Sequence, residues 1–175
     1  MEKRKNPKSP KNNPEGRPDA DELERAKSYL NLLFKYRPRT ERETRERLEE
    51  KGYSQEVITG VIDWAKRTGN VDDRSFAKYF VEDRKRNKPT GRSGLYRKLL
   101  EYGVDKDTAN EVLDETLGDY DQGEKCRELA EKRLKRYKGD DVEAKYRKTS
   151  SFLIRRGFSR GEVKRTLKEL LFNDE

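Results

Sequence analysis

Apolar residues recur at steps of three and four along nearly all of this chain, the spacing that gathers them on one face of an α-helix. Leu23, Ala26, Leu30, Leu33 and Phe34 define a first helical face, which Pro38 ends. Thr40-Glu41-Arg42-Glu43 is a capping-box pattern and starts a second helix that runs to Gly52. Ser54 caps a third, with Ile58, Val61, Ile62 and Ala65 turned inward. The plan then repeats. Asp73 is expected to cap a helix carrying Phe76, Ala77, Phe80 and Val81. A Pro89–Gly91 loop follows, then a helix with Leu95, Leu99 and Leu100 to Gly103, and a helix capped by Asp105 with Ala109, Val112, Leu113 and Leu117. A third round places Cys126, Leu129, Ala130, Leu134 and Tyr137 on its first helix. Its second runs from about Asp140 through Leu153, and its third, after Ser159, carries Val163, Leu167, Leu170 and Leu171. No stretch alternates in the manner of a strand.

The register of this repetition is set by three glycine corners. Leu48, Leu99 and Leu153 each stand four residues before a glycine (Gly52, Gly103, Gly157), an apolar residue follows each glycine, and a capping residue comes next. Glycine can take the left-handed conformation that closes a helix, so each corner marks a helix end. A repeat of about fifty residues is the signature of a modular array. The expected fold is all-α: three tandem three-helix repeats, helix-turn-helix-like. The boundaries read as residues 20–69, 70–118 and 119–175, preceded by a basic tail at 1–19. That tail holds four of the six prolines and almost nothing apolar, so it is expected to be disordered.

Composition agrees with several small cores rather than one large one: 30% of the 175 residues are apolar and 45% charged. The formal charge of +8 favours polyanions or acidic protein surfaces as partners. A single cysteine and the lack of any long apolar run or leader pattern fit a cytoplasmic protein.

Catalytic chemistry is not written into the chain. It has no histidine, the commonest general base and metal ligand. Cys126 shares a helical face with Leu129, Ala130 and Leu134 and reads as a core residue. Gly91 and Gly94 lack the spacing of a phosphate loop. The carboxylates are interleaved with Lys and Arg at helical spacing, as in solvated ion-pair faces. Trp64 reads as core. No cofactor or metal is expected.

Two basic stretches exceed what solubility requires. Arg84, Lys85, Arg86, Lys88, Arg92, Arg97 and Lys98 lie in a segment with no acid. Between Lys125 and Arg165 there are 15 basic and 6 acidic residues, with Lys132, Arg133, Lys135, Arg136 and Lys138 clustered beside Tyr137, and Arg147, Lys148, Arg155 and Arg156 beyond. Like charges held on helices cannot spread apart, and phosphates or an acidic surface would relieve the field. A charged face is also what any solvated helical protein carries, and each triplet alone is equally well a packing unit.

Tyr36-Arg37-Pro38-Arg39-Thr40, Leu48-x-x-Lys51-Gly52-Tyr53, Asp72-Asp73-Arg74-Ser75-Phe76-Ala77 and Pro89-Thr90-Gly91 with Leu95, Leu99 and Gly103-Val104 together resemble the bacterial recombination regulator family RecX over residues 23–171. Thr44 departs from it, standing where the family usually has leucine. The resemblance implies that the three repeats form an elongated curved array, and that the protein is a non-enzymatic, monomeric modulator of the RecA recombinase in DNA repair and the SOS response. Such a protein would lie in the helical groove of the RecA–DNA filament, limit its growth and reduce ATPase, strand exchange and co-protease activity, touching single- and double-stranded DNA more weakly. The alternative is a sequence-independent DNA-binding helical module that acts without RecA. On either reading the basic residues above are the candidate contacts, while Leu48, Gly52, Leu99, Gly103, Leu153, Gly157, Asp73 and Phe76 hold the repeats together.

Overall fold

A computed structural model describes residues 20–172; the 1–19 segment lies outside the described residues. Nine α-helices follow one another among them: α1 (Ala20–Phe34), α2 (Glu41–Glu50), α3 (Gln55–Arg67), α4 (Asp73–Asn87), α5 (Arg92–Glu101), α6 (Lys106–Thr116), α7 (Gln122–Leu134), α8 (Val142–Arg155) and α9 (Arg160–Phe172). No strand occurs among the described residues; Arg39 and Val71 form one isolated bridge. None of these helices is long and apolar enough to cross a membrane.

The three corners share one geometry. Gly52, Gly103 and Gly157 have φ of +79°, +91° and +88°. In each, the glycine N–H bonds the carbonyl three residues back, and the next N–H reaches the core leucine: Tyr53 to Leu48 (3.2 Å), Val104 to Leu99 (3.1 Å), Phe158 to Leu153 (3.2 Å). This is the Schellman closure, which satisfies carbonyls that a helix end would otherwise leave open. The helix that follows each corner is then capped by Ser54, Asp105 or Ser159, whose side-chain oxygens accept from the Val57, Thr108 and Glu162 amides. Leu48, Leu99 and Leu153 are fully buried.

The described residues form two compact units, divided between Phe76 and Ala77, within α4. In the first, α1 and α2 pack on α3. Ala26, Leu30, Leu48, Val57, Ile58, Val61 and Ile62 make its core, with Trp64 half-buried against it. Thr44 is buried here, and its hydroxyl donates to the Thr40 carbonyl at 2.8 Å. That bond satisfies a hydroxyl at a position facing the core. In the second unit α5 packs on α6, and α7, α8 and α9 pack on one another. Cys126, Ala130, Leu153, Phe158, Val163 and Leu167 form the core of this last triplet.

Two local expectations are corrected. Asp72, not Asp73, caps α4: its carboxylate accepts from the Arg74 and Ser75 amides at 2.9 and 3.2 Å and from the Ser75 hydroxyl at 2.6 Å. Asp73 instead reaches back in sequence to the start of α2, where it accepts from the Glu41 amide at 2.9 Å. Two adjacent aspartates thus serve two helix starts, which local spacing could not distinguish. Likewise Tyr137 lies beyond α7, in a 3₁₀ turn over Lys135–Tyr137, and Asp141 caps α8 through the Ala144 amide at 2.7 Å.

Candidate functional site

The first basic stretch and the third corner meet inside the second unit. Gly91 is the N-cap of α5 and has no side chain to cap it with. Its own N–H donates to the Arg156 carbonyl at 3.0 Å. Arg97 Nη2 donates to the Arg155 carbonyl and Arg156 Nη1 to the Pro89 carbonyl, both at 3.3 Å. The last carbonyls of α8 are therefore satisfied by the loop and helix start of the preceding repeat. A side chain would prevent this approach: a β-carbon on Gly91 would stand 2.3 Å from the Gly157 oxygen, and one on Gly94 2.6 Å from the Arg156 oxygen.

This clasp leaves a cleft of about 350 Å³ between α4, α5 and the end of α8. Its apolar lining is Phe80, Leu95 and Phe152. Around them stand Arg84, Lys88, Arg97, Lys98, Arg155 and Arg156, with no acid in the lining. The Arg84 guanidinium lies 4.8 Å from the centre of the Phe80 ring, and that of Arg156 5.3 Å from Phe152. Each is a cation–π pair one helical turn apart. Phe80 and Phe152 read as core in the sequence. Phe80 is buried as expected and Phe152 packs partly buried against the last core; the signal for their second role is an aromatic followed four residues later by arginine, present at Phe80–Arg84 and at Phe152–Arg156.

The remaining candidates divide by what holds them. Lys85 is spent inside the fold: its ammonium donates to the Thr116 carbonyl at 2.8 Å and pairs with Asp119 at 3.0 Å and Glu82 at 3.1 Å. Against the cost of partial burial, those carboxylates hold Lys85 above the usual lysine range. Arg92 pairs with Asp114 at 2.9 Å. Arg86 is exposed, with Glu82 at 3.8 Å. Arg133 lies over both Phe152 (4.7 Å) and Tyr137 (5.3 Å), with its Nε buried and without a hydrogen-bond partner. Lys148 pairs with Asp140 at 2.7 Å and lies over Tyr137. By contrast Lys132, Lys135, Arg136, Lys138 and Arg147 are all exposed. Lys132, Lys135, Arg136 and Lys138 follow one another along the end of α7, the 3₁₀ turn and the residue after it.

Among the described residues, no group of three or more Cys, Asp or Glu residues could hold a metal ion. Cys126 is buried, and burial pushes its thiol up, away from the thiolate a nucleophile needs.

Comparison with known proteins bears on the family and the fold. The first, second and third three-helix domains of RecX match residues 31–64, 72–113 and 119–167. The regulatory protein RecX of Prosthecochloris aestuarii is 36% identical over 151 residues, which cover 86% of this chain and 94% of that protein. The regulatory protein RecX of Chlorobium phaeobacteroides is 32% identical, covering 87% and 97%. In fold, the chain is similar to the crystal structure of RecX from Lactobacillus salivarius, with a TM-score of 0.71 at 24% identity over 87% of this chain and 98% of that one. The chain, built of tandem three-helix repeats, belongs to the RecX family of regulatory proteins.

Proposed function

We propose that this protein regulates the RecA recombinase. It binds the RecA–DNA nucleoprotein filament in its helical groove, restrains filament growth, and lowers ATPase, strand-exchange and co-protease activity. The observation that carries the reading is the exposed cation series Lys132, Lys135, Arg136 and Lys138, for which no ion pair is found among the described residues, on a RecX-family fold. Such a series favours the acidic protein surface and phosphate backbone that a nucleoprotein filament offers together. A regulator shifts an assembly only by binding one of its states better than another. Tandem repeats supply this through several weak contacts that combine by effective concentration once the first is made.

Charge reversal of Lys132, Lys135, Arg136 and Lys138 tests the assignment. Arg133 is left intact because its stacking on Phe152 and Tyr137 makes it part of the packing. The variant should keep its helicity, sediment poorly with RecA filaments, and inhibit RecA ATPase less. Unchanged inhibition would sink the assignment. A pull-down on naked DNA at two salt concentrations separates the alternative, since a plain DNA binder ignores RecA and loses affinity with a slope near −0.9 per neutralised phosphate.

A further inference from the structure

The cleft between α4, α5 and the end of α8 is distinct from the exposed cation series at the end of α7 and the turn that follows it. We propose that it is a docking site for an acidic peptide segment carrying one large apolar side chain, contributed by a protein partner. Arg84 has its carboxylate neighbour, Asp83, only at 4.0 Å, and Lys98 pairs with Glu101. Lys88, Arg97, Arg155 and Arg156 have no carboxylate within ion-pair distance among the described residues; the side-chain bonds of Arg97 and Arg156 go to backbone carbonyls. Four uncompensated like charges around an apolar floor repel one another, and a ligand with several carboxylates relieves that repulsion. The volume of about 350 Å³ is at the small end for ligand pockets, about 300–1,000 Å³. It suits a single anchoring side chain seated among charged contacts.

A nucleic-acid strand fits less well. Strands bind apolar grooves by stacking bases on aromatic rings. Here the rings are already engaged: Phe80 holds Arg84 at 4.8 Å and meets Tyr102 edge-on at 5.4 Å, and Phe152 carries both Arg133 and Arg156. An aliphatic or aromatic side chain needs only apolar walls, and its flanking carboxylates meet the fork of each arginine.

The proposal rests on the regulatory reading for the source of the peptide and on the cleft alone for its chemistry, so it is tested without RecA. A labelled seven-residue peptide of aspartate and glutamate with a central phenylalanine is titrated into the full chain and followed by anisotropy. The same peptide with a central alanine, and a seven-residue oligothymidylate, are run beside it. The phenylalanine peptide should bind about tenfold more tightly than the alanine one, the loss expected on removing a central anchor. It should also shift the amide resonances of Gly94 and Arg156. The double variant Lys88→Glu, Arg155→Glu should lose about tenfold. Equal binding of the two peptides, or shifts that leave Gly94 and Arg156 unmoved, overturns the proposal. So does tighter binding of the oligothymidylate with those same shifts, which makes the cleft a nucleic-acid groove. The resonance shifts are read on the unaltered chain, so the test stands even if the variant fails to fold. Inhibition of RecA ATPase without peptide binding removes this proposal and leaves the regulatory reading. Peptide binding without inhibition does the reverse.

Discussion

Gly157 lies against Gly94 so closely that a β-carbon on Gly157 would stand 2.0 Å from the Gly94 nitrogen and 2.3 Å from its α-carbon. Gly52 occupies the equivalent corner of the first repeat with nearly the same φ, yet a β-carbon there would meet nothing within 4 Å. The two corners therefore separate conformational from contact constraints. Gly52→Ala should cost only the left-handed penalty of about 1–2 kcal/mol. Gly157→Ala adds a clash with backbone, which cannot swing away as a side chain can, and overpacking of this kind costs about 1–3 kcal/mol more. Urea denaturation of the two variants measures the difference. Equal losses would show that the α8 corner and the α5 start are not held together.

Asp73 at the start of α2 gives a pH-dependent prediction. Burial pushes its carboxyl above the usual range, opposed by the hydrogen bond from the Glu41 amide. A carboxyl whose folded pKa exceeds its unfolded one binds protons better in the folded state, so its charged form costs stability at neutral pH. That cost disappears as pH falls through the folded pKa. Asp73→Asn keeps an acceptor for the Glu41 amide and removes the charge. It should therefore match or exceed the parent at neutral pH, with any advantage fading below the carboxylate range. Asp73→Ala loses the acceptor and should cost about 1 kcal/mol. Asp72 has the opposite sign: bonded to the Ser75 hydroxyl and to the Ser75 and Arg74 amides, it is held below the usual range, and its contribution is lost on acidification. Chemical denaturation across pH distinguishes the two aspartates.

The thiol of Cys126 reports on the last triplet. It is fully buried, and burial raises it above the usual thiol range. A thiol reagent should leave the folded chain unmodified and react fully in denaturant. Leu153→Ala, which opens the same core, should cost about 2–5 kcal/mol and speed modification under native conditions. Rapid labelling of the unaltered chain would contradict the packing of α7 on α8 and α9.

The sequence made the helices at the three corners legible because local signals agree there: an apolar face at steps of three and four, a glycine stop and a capping residue. Local signals of this kind do not depend on what the helix later packs against. The cleft was only half legible. Arg84, Lys88, Arg97 and Lys98 stand out as a run without acids, but nothing local joins them to Arg155 and Arg156, more than fifty residues away. That juxtaposition is made by backbone contact through Gly91, Gly94 and Gly157, and close backbone approach leaves no mark on charge or hydropathy. The same limit explains Asp72 and Asp73, whose roles differ only in which amide each carboxylate reaches.

Lys85 and Lys88, three residues apart on one basic run, should then separate stability from binding. Lys85 ties α4 to the end of α6 through the Thr116 carbonyl and Asp119, and its side chain is only 15% exposed. Lys88 is exposed at the rim of the cleft. Lys85→Ala removes charged hydrogen bonds from a partly buried position and should lower stability by about 1–2 kcal/mol, with binding of the acidic phenylalanine peptide nearly unchanged once folded protein is counted. Lys88→Ala should leave the denaturation midpoint within about 0.5 kcal/mol of the parent, as surface substitutions do, and weaken the peptide. Parallel denaturation and anisotropy measurements decide it. A loss of peptide binding by Lys85→Ala equal to that by Lys88→Ala would mean that the basic run acts as one diffuse field, and that the distinction drawn from Asp119 and Thr116 does not govern it.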